Sequence, residues 1–298
     1  MSVISIQSQV AYGHVGNSAA VFPMQMHGID VIAVPTTLLS NRPGYPTIRG
    51  RVLEAQLVAD LLLGVEERGA LDTAEVILSG YLGSAEIAVV VADFVARAKA
   101  RNPTLVYCCD PVLGDRDRAL FVHADIPPIV RDLLCPLANV ITPNHFEFEW
   151  LCGATATTID QVIDAAQALM MRGPSTVVVT SAELADTPDH EIETLAVGGG
   201  RGRIEPAIAG LARSHAETGN QPVRHRRSVC FAFRVRVRLR IRHTGCARPR
   251  SIGHFRRSGA HRGPRDRGNA HRRDCRVARS SEAPVRHHRG PPLNISSW

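Results

Sequence analysis

ThrLeuValTyrCysCysAspProValLeuGlyAsp, running from Thr104 to Asp115, decides the fold. A short apolar run stops at Asp110, and a proline follows at once. A buried parallel strand ends this way where a ligand crevice opens. A second stretch, IleThrProAsnHisPheGluPheGlu from Ile141 to Glu149, repeats the arrangement. AsnValIle reads as a strand, Asn144 opens a helix, and Glu147 falls in that helix's first turn. Two acids so placed suit a nucleotide-bound cation.

Outward from these two stretches, strand-like and helix-like segments alternate over the first 180 residues. Val3–Ile6, Val31–Val34, Val76–Leu78, Leu105–Cys109, Val140–Ile141 and Val177–Val179 read as strands. Ser18–His27 before Gly28, Val52–Glu67, Glu86–Ala100, and Ile159–Met171 between Thr158 and Gly173 read as helices. Such alternation predicts an α/β fold with a mostly parallel sheet covered on both faces. Ligands of these folds gather at the carboxyl ends of the strands. The loops expected there include Gln7–Asn17, Ser40–Tyr45, Ser79–Ser84, Asp110–Asp115 and Thr142–Asn144.

Charge divides the chain near residue 200. Residues 1–200 hold 11 Lys+Arg against 23 Asp+Glu, a net of −12, whereas residues 201–298 hold 24 against 5, a net of +19. The whole-chain net of +7 therefore describes neither part. Lys99 is the single lysine, and all basic charge after residue 200 is arginine. A nucleic-acid-binding tail ordinarily mixes the two, so the bias points to a cause at the nucleotide level.

Hydrophobic content of 44% supports a sizeable core, and aromatics at 5% leave its packing to Val, Leu, Ile and Ala. No stretch reaches the roughly 18 apolar residues of a membrane span, and the N-terminus lacks a basic region before an apolar run, so the cytoplasm is expected. Seven cysteines include the adjacent Cys108 and Cys109, which alternation sends to opposite faces of a strand. With no CxxC pair, reduced thiols are expected rather than a disulfide or a zinc site.

Ser8 to Asn17 turns from a strand into a helix through Gly13 and Gly16, with Asn17 read as the cap. Such a turn presents backbone N–H groups to an anion or polar ligand, although most turns of this composition are structural. His14 is more ordinary as a loop histidine than as a proton donor. Tyr81 follows a strand, where its ring could stack on a flat heterocycle or pack in the core. Asp115 and Asp117 read as a solvated acidic turn.

YGHVGNSAA, SGYLGS, CDPVLGD and TPNHFEFE, in this order and spacing, resemble the pyridoxal kinases of the ribokinase-like superfamily over residues 3 to about 197. The resemblance implies a three-layer α/β/α domain, residues 1–197, that phosphorylates the 5′-hydroxymethyl of pyridoxal and related B6 vitamers with ATP and Mg2+. Phosphomethylpyrimidine kinases share the DP and TPN elements but not YGHVGN. By resemblance, Ser8, Pro43, Gly44 and Tyr81 meet the vitamer. Asp110, Thr142, Asn144, Glu147 and Thr180 lie at the nucleotide, with Asp110 and Glu147 at the metal. A homodimer is implied too. Gln9, Leu38, Arg42 and Pro43 depart from the family pattern around the vitamer.

The resemblance also implies a GTGD motif, whose helix N-terminus forms an anion hole and whose aspartate deprotonates the attacking hydroxyl. After Thr180 none occurs. In its place stands ValArgHisArgArgSerValCysPhe, Val223 to Phe231. Its codons, read one nucleotide on, permit Ser-Gly-Thr-Gly-Asp-Leu-Phe-Ala. A frameshift between about Val197 and Arg213 is inferred, leaving residues 198–298 as a non-native, disordered tail and the chain inactive. The competing reading, an Arg-rich nucleic-acid-binding tail, lacks interleaved aromatics and any binding module.

Overall fold

Eleven strands and eight helices follow in chain order in the computed structural model, which describes residues 1–185, 187, 191–200 and 203–215. They are β1 Ser2–Tyr12, α1 Asn17–Met26, β2 Asp30–Asn41, β3 Gly50–Val52, α2 Ala55–Glu67, α3 Ala70–Thr73, β4 Val76–Ser79 and α4 Ala85–Arg101. Then come β5 Val106–Cys109, β6 Gly114–Asp115, β7 Ala119–Leu120, α5 Ile126–Ile129, a π-helical turn Val130–Leu134, and α6 Cys135–Leu137. The series ends with β8 Val140–Ile141, α7 His145–Cys152, α8 Ile159–Met170, β9 Thr176–Ala182, β10 Glu191–Gly200 and β11 Arg203–His215. All of these elements lie in one compact unit.

Nine strands form one sheet in the order β11-β10-β9-β8-β5-β4-β1-β2-β3. From β9 to β2 every pairing is parallel, and only β3, β10 and β11 run antiparallel to their neighbours. Alternation sorts the side chains of β1 to two faces. Ile4 and Ile6 join the large core that includes Val58 and Leu62 of α2 and Ile87, Val91 and Phe94 of α4. Val3, with Val76, packs on the other face against Ala20 and Met24 of α1. Helices on both faces make three layers, as expected.

Local signals placed most elements. Asn144 and Glu147 form a capping box at α7, and Thr158 and Gln161 form another at α8. Two expectations are corrected. Val52 belongs to β3, held at the sheet edge opposite Thr37, so α2 starts only at Ala55. Asn17 is not the cap of α1: Gly16 holds that position, and Asn17 is buried.

Lys99 ties the last turn of α4 to the approach to β8, donating to the Leu137 carbonyl at 2.6 Å and to Asn139 Oδ1 at 3.2 Å. Burial pushes its ammonium below the ordinary lysine range. At the other end of the sheet, β10 and β11 pair from Glu191↔His215 to Gly200↔Arg203, carrying the ladder across position 197. Of the tail expected to be disordered from residue 198 onward, positions 198–200 and 203–215 instead stand in β10 and β11, and residues 216–298 lie outside the described residues.

Candidate active site

Chain order reverses direction at β1: β2 lies on one side of it and β4 on the other. Ligands bind at such a switch point, outside the carboxyl ends of the strands. Ser8 continues β1 past the Ile6↔Ser79 pair, and Gly80 and Tyr81 follow β4 beside it. Asp110 follows β5, Thr142 follows β8, and Thr180 stands in β9, bridged to Asn144. Five neighbouring strands thus bring Ser8, Tyr81, Asp110, Thr142, Asn144 and Thr180 into one line along the same edge.

At the switch point a network of buried polar groups shapes the turn. Ser5 Oγ donates to Asn17 Oδ1 at 2.7 Å, and Gln7 Nε2 donates to Ser5 Oγ at 2.9 Å. Asn17 Nδ2 reaches the carbonyls of Gln7 and Val34. The asparagine therefore pins the start of α1 onto β1 and β2. Gly16 (φ 58°, ψ −137°) passes so close to Ser8 that a Cβ there would lie 1.9 Å from the Ser8 carbonyl oxygen. Only glycine permits this approach. Ser8 is buried, and Gln9, one residue on, is engaged with Ser18 Oγ.

Tyr81 is half-buried, and its backbone carbonyl accepts from Thr36 Oγ1 at 2.6 Å. Burial pushes its phenol above the ordinary tyrosine range, so it stays a neutral ring with an O–H. Pro43 and Gly44 are not part of the line. They sit exposed in the β2–β3 connection, next to Tyr45, whose ring meets Tyr12 edge-on at 6.0 Å and Arg42 at 5.2 Å. His14 is also exposed.

At the other end, Asp110 lines a small cavity with Ser79, Gly80 and Leu113, and its N–H donates to the Ser79 carbonyl. Glu147 is 1% exposed. Its Oε1 accepts the N–H groups of Leu113 (3.0 Å) and Gly114 (3.3 Å), and its Oε2 accepts that of Asn144 (2.9 Å). Asn144 Nδ2 in turn donates to the Gly114 carbonyl at 2.7 Å. Glu147 and Asn144 therefore spend their polar atoms on holding the loop after Asp110. The two acids differ in surroundings: Asp110 lines the cavity, while Glu147 faces three backbone donors.

Thr180 is buried and bonded through its N–H and hydroxyl to the Pro143 carbonyl. Ser181 follows with φ 50°, a left-handed conformation that costs strain in a non-glycine residue. His145 escaped the sequence reading. Its Nε2 lies 2.8 Å from the Ala156 carbonyl and its Nδ1 accepts the Glu183 N–H at 3.1 Å, so it fastens α7 to the end of β9. Gln7 and Asn17 escaped it as ligand-site framework, although polar residues inside the apolar run of β1 were the available signal. Asp115 pairs with Arg118, in keeping with a solvated turn.

The profile of the phosphomethylpyrimidine kinase family matches residues 52–206. Pyridoxal kinase PdxY of Leifsonia xyli subsp. xyli is 47% identical over 197 residues, covering 66% of this chain and 70% of that one. Pyridoxal kinase of Bos taurus is 38% identical over 204 residues, covering 67% and 65%. Among solved structures, pyridoxal kinase from Leishmania donovani in complex with ADP and pyridoxamine superposes with a TM-score of 0.66 at 33% identity, over 74% of this chain and 76% of that one.

Proposed function

Since the chain belongs to the pyridoxal kinases, a family of phosphotransferases, we propose that its described part holds the recognition half of an enzyme transferring the γ-phosphoryl of ATP to the 5′-hydroxymethyl of pyridoxal. The observation that carries this reading is the single line of residues along the strand ends, from Ser8 at the switch point to Thr180 at β9. Ser8 and Tyr81 receive the pyridine ring, the tyrosine by stacking against it, and the loop of Pro43 and Gly44 covers it from β2. Asp110, Thr142, Asn144 and Thr180 border the nucleotide. Mg2+, when bound, neutralises phosphate charge as it shifts between the oxygens. Asp110 would hold it, and Glu147 acts behind Asp110 by fixing the Leu113 and Gly114 peptides. The active assembly is a cytoplasmic homodimer.

This reading places chemistry and recognition in different parts of the chain. The proton acceptor and anion hole belong to a GTGD segment that this reading frame lacks, while the out-of-frame equivalent falls at Val223 to Phe231. The family match ends at residue 206, inside the interval Val197 to Arg213 inferred for the frame break. Residues 216–298, the site of the Arg-rich alternative, lie outside the described residues.

Titration calorimetry of the full chain tests the reading. Pyridoxal and Mg·ADP are each expected to bind, and Tyr81→Ala should weaken pyridoxal alone. Absence of binding by both ligands, in protein with native circular dichroism, would refute it.

A further inference from the structure

At the far end of α7 from Asn144 and Glu147, about 12 Å along a helix of 8 residues, the surface opens into a second cleft. Its volume is about 350 Å³, within the range of small-molecule sites. Three parts of the chain line it: Arg131 and Asp132 of the π-helical turn, Trp150, Cys152 and Gly153 at the end of α7, and Arg172 just past α8. Single π-helical turns are rare and recur at functional sites. This one sets two consecutive charged side chains on one concave surface.

Asp132 holds the two guanidiniums side by side. Arg131 donates to both of its oxygens, at 2.8 and 2.7 Å, and Arg172 donates to Oδ1 at 3.1 Å. These bonds use Nε and Nη2 of Arg131 and Nη2 of Arg172. Among the described residues, Nη1 of Arg131 and Nε and Nη1 of Arg172 have no partner, and the two side chains are 38% and 43% exposed. Arg131 also lies over the Trp150 ring, 5.6 Å from its centre. The lining thus sets two positive charges against one negative, in a chain whose first 200 residues carry a net of −12. Excess guanidinium beside an indole suits a planar anion: arginine forks grip phosphate oxygens, and the indole takes an aromatic ring.

We propose that this cleft binds a small aromatic phosphate monoester, its phosphate on Arg172 and Arg131 and its ring against Trp150. The bidentate bond to Asp132 fixes Arg131 over the indole. Arg172, held by one bond of 3.1 Å, is the arm that swings from Asp132 to the phosphate. A nucleoside monophosphate and a phosphorylated pyridine share this chemistry. None of these residues belongs to the line of strand ends, so the cleft stands apart from the kinase reading.

The chain has two tryptophans, Trp150 and Trp298. In the full-length Trp298→Phe variant, emission from Trp150 alone reports the cleft. Titration with adenosine monophosphate, and separately with pyridoxine 5′-phosphate, should change that emission saturably, and the tighter of the two identifies the source. Adenosine and inorganic phosphate each supply half of the ligand and should bind at least about tenfold more weakly. Arg172→Gln, with circular dichroism unchanged, should abolish the response. Asp132→Asn releases both guanidiniums and should tighten binding about fivefold, the scale of one exposed ion pair. No response to either phosphate ester at millimolar concentration would overturn the proposal. So would a response retained in Arg172→Gln, weaker binding by folded Asp132→Asn, or equal affinity for adenosine or inorganic phosphate.

Discussion

Glu147 of α7 and Gly114 of β6 are locked together: the carboxylate of the first accepts the N–H of the second at 3.3 Å, in a site 1% exposed for Glu147. Gly114 fits there because a Cβ would meet the Ala119 carbonyl oxygen at 2.3 Å. Replacing Glu147 by Ala strands three buried backbone donors and removes half of a capping box. Each such loss costs about 1–3 kcal/mol, so urea unfolding should show a loss of at least about 3 kcal/mol. Mg·ADP affinity should fall with and without the metal alike, since the defect lies in the loop. An affinity loss seen only with Mg2+ would make Glu147 a direct ligand instead.

Gly16→Ala separates the two ends of the site. The new Cβ must push Ser8 away at a positive φ, so pyridoxal binding should vanish in calorimetry while Mg·ADP binding persists. Retained pyridoxal affinity would remove Ser8 from the vitamer contacts.

Turnover should be absent from the chain as it stands. A positioned base contributes about 10²–10⁴ in rate and a charge-stabilising donor about 10²–10³. With pyridoxal and Mg·ATP, pyridoxal 5′-phosphate should form at the background rate. Restoring the alternative frame within the interval Val197 to Arg213 should bring turnover, and alanine in place of the restored motif's aspartate should abolish it. Robust turnover by the unaltered chain would contradict the assignment.

Asp72 on α3 makes a bidentate bond with Arg101 at the end of α4, at 2.7 and 2.8 Å. That bond holds its carboxyl below the ordinary aspartate range. A depressed folded-state pKa gives stability that is present above the unfolded value, about 3.9, and is lost as pH falls through the lower folded value. Asp72→Asn should therefore lower the melting temperature slightly at pH 7 and make no difference in acid below both values. A deficit that persists there would exclude the ion pair as its source.

The central strands were legible because buried parallel strands are short β-branched runs, and the helices of Asn144 and Thr158 because capping boxes are local. Tyr81, Asp110, Thr142 and Asn144 fell just past strand ends as their motifs implied, while Ser8 and Thr180 stand within β1 and β9. Pro43 and Gly44 did not join them, since the course of the β2–β3 connection depends on tertiary packing that its own sequence does not encode. Asn17 was misread for a related reason: as a cap it would bond its own helix, but Ser5, Gln7 and Val34 reach it from two strands. Val52 continues an apolar helical pattern, and only its pairing with Thr37 makes it a strand. The sequence places Glu147 in the first turn of a helix but does not show that backbone donors from residues 113 and 114 reach its carboxylate.

The bond from Lys99 to the Leu137 carbonyl bears on covalent side reactions. Pyridoxal and its phosphate are aldehydes, and aldehydes condense with amines to imines. This chain has one lysine, and its nitrogen is already donated to Leu137 and Asn139. The other amine, at Met1, lies 3.5 Å from the Glu75 carboxylate. Borohydride trapping with pyridoxal 5′-phosphate should therefore tag the native chain sparingly, and unfolding should release both amines to label.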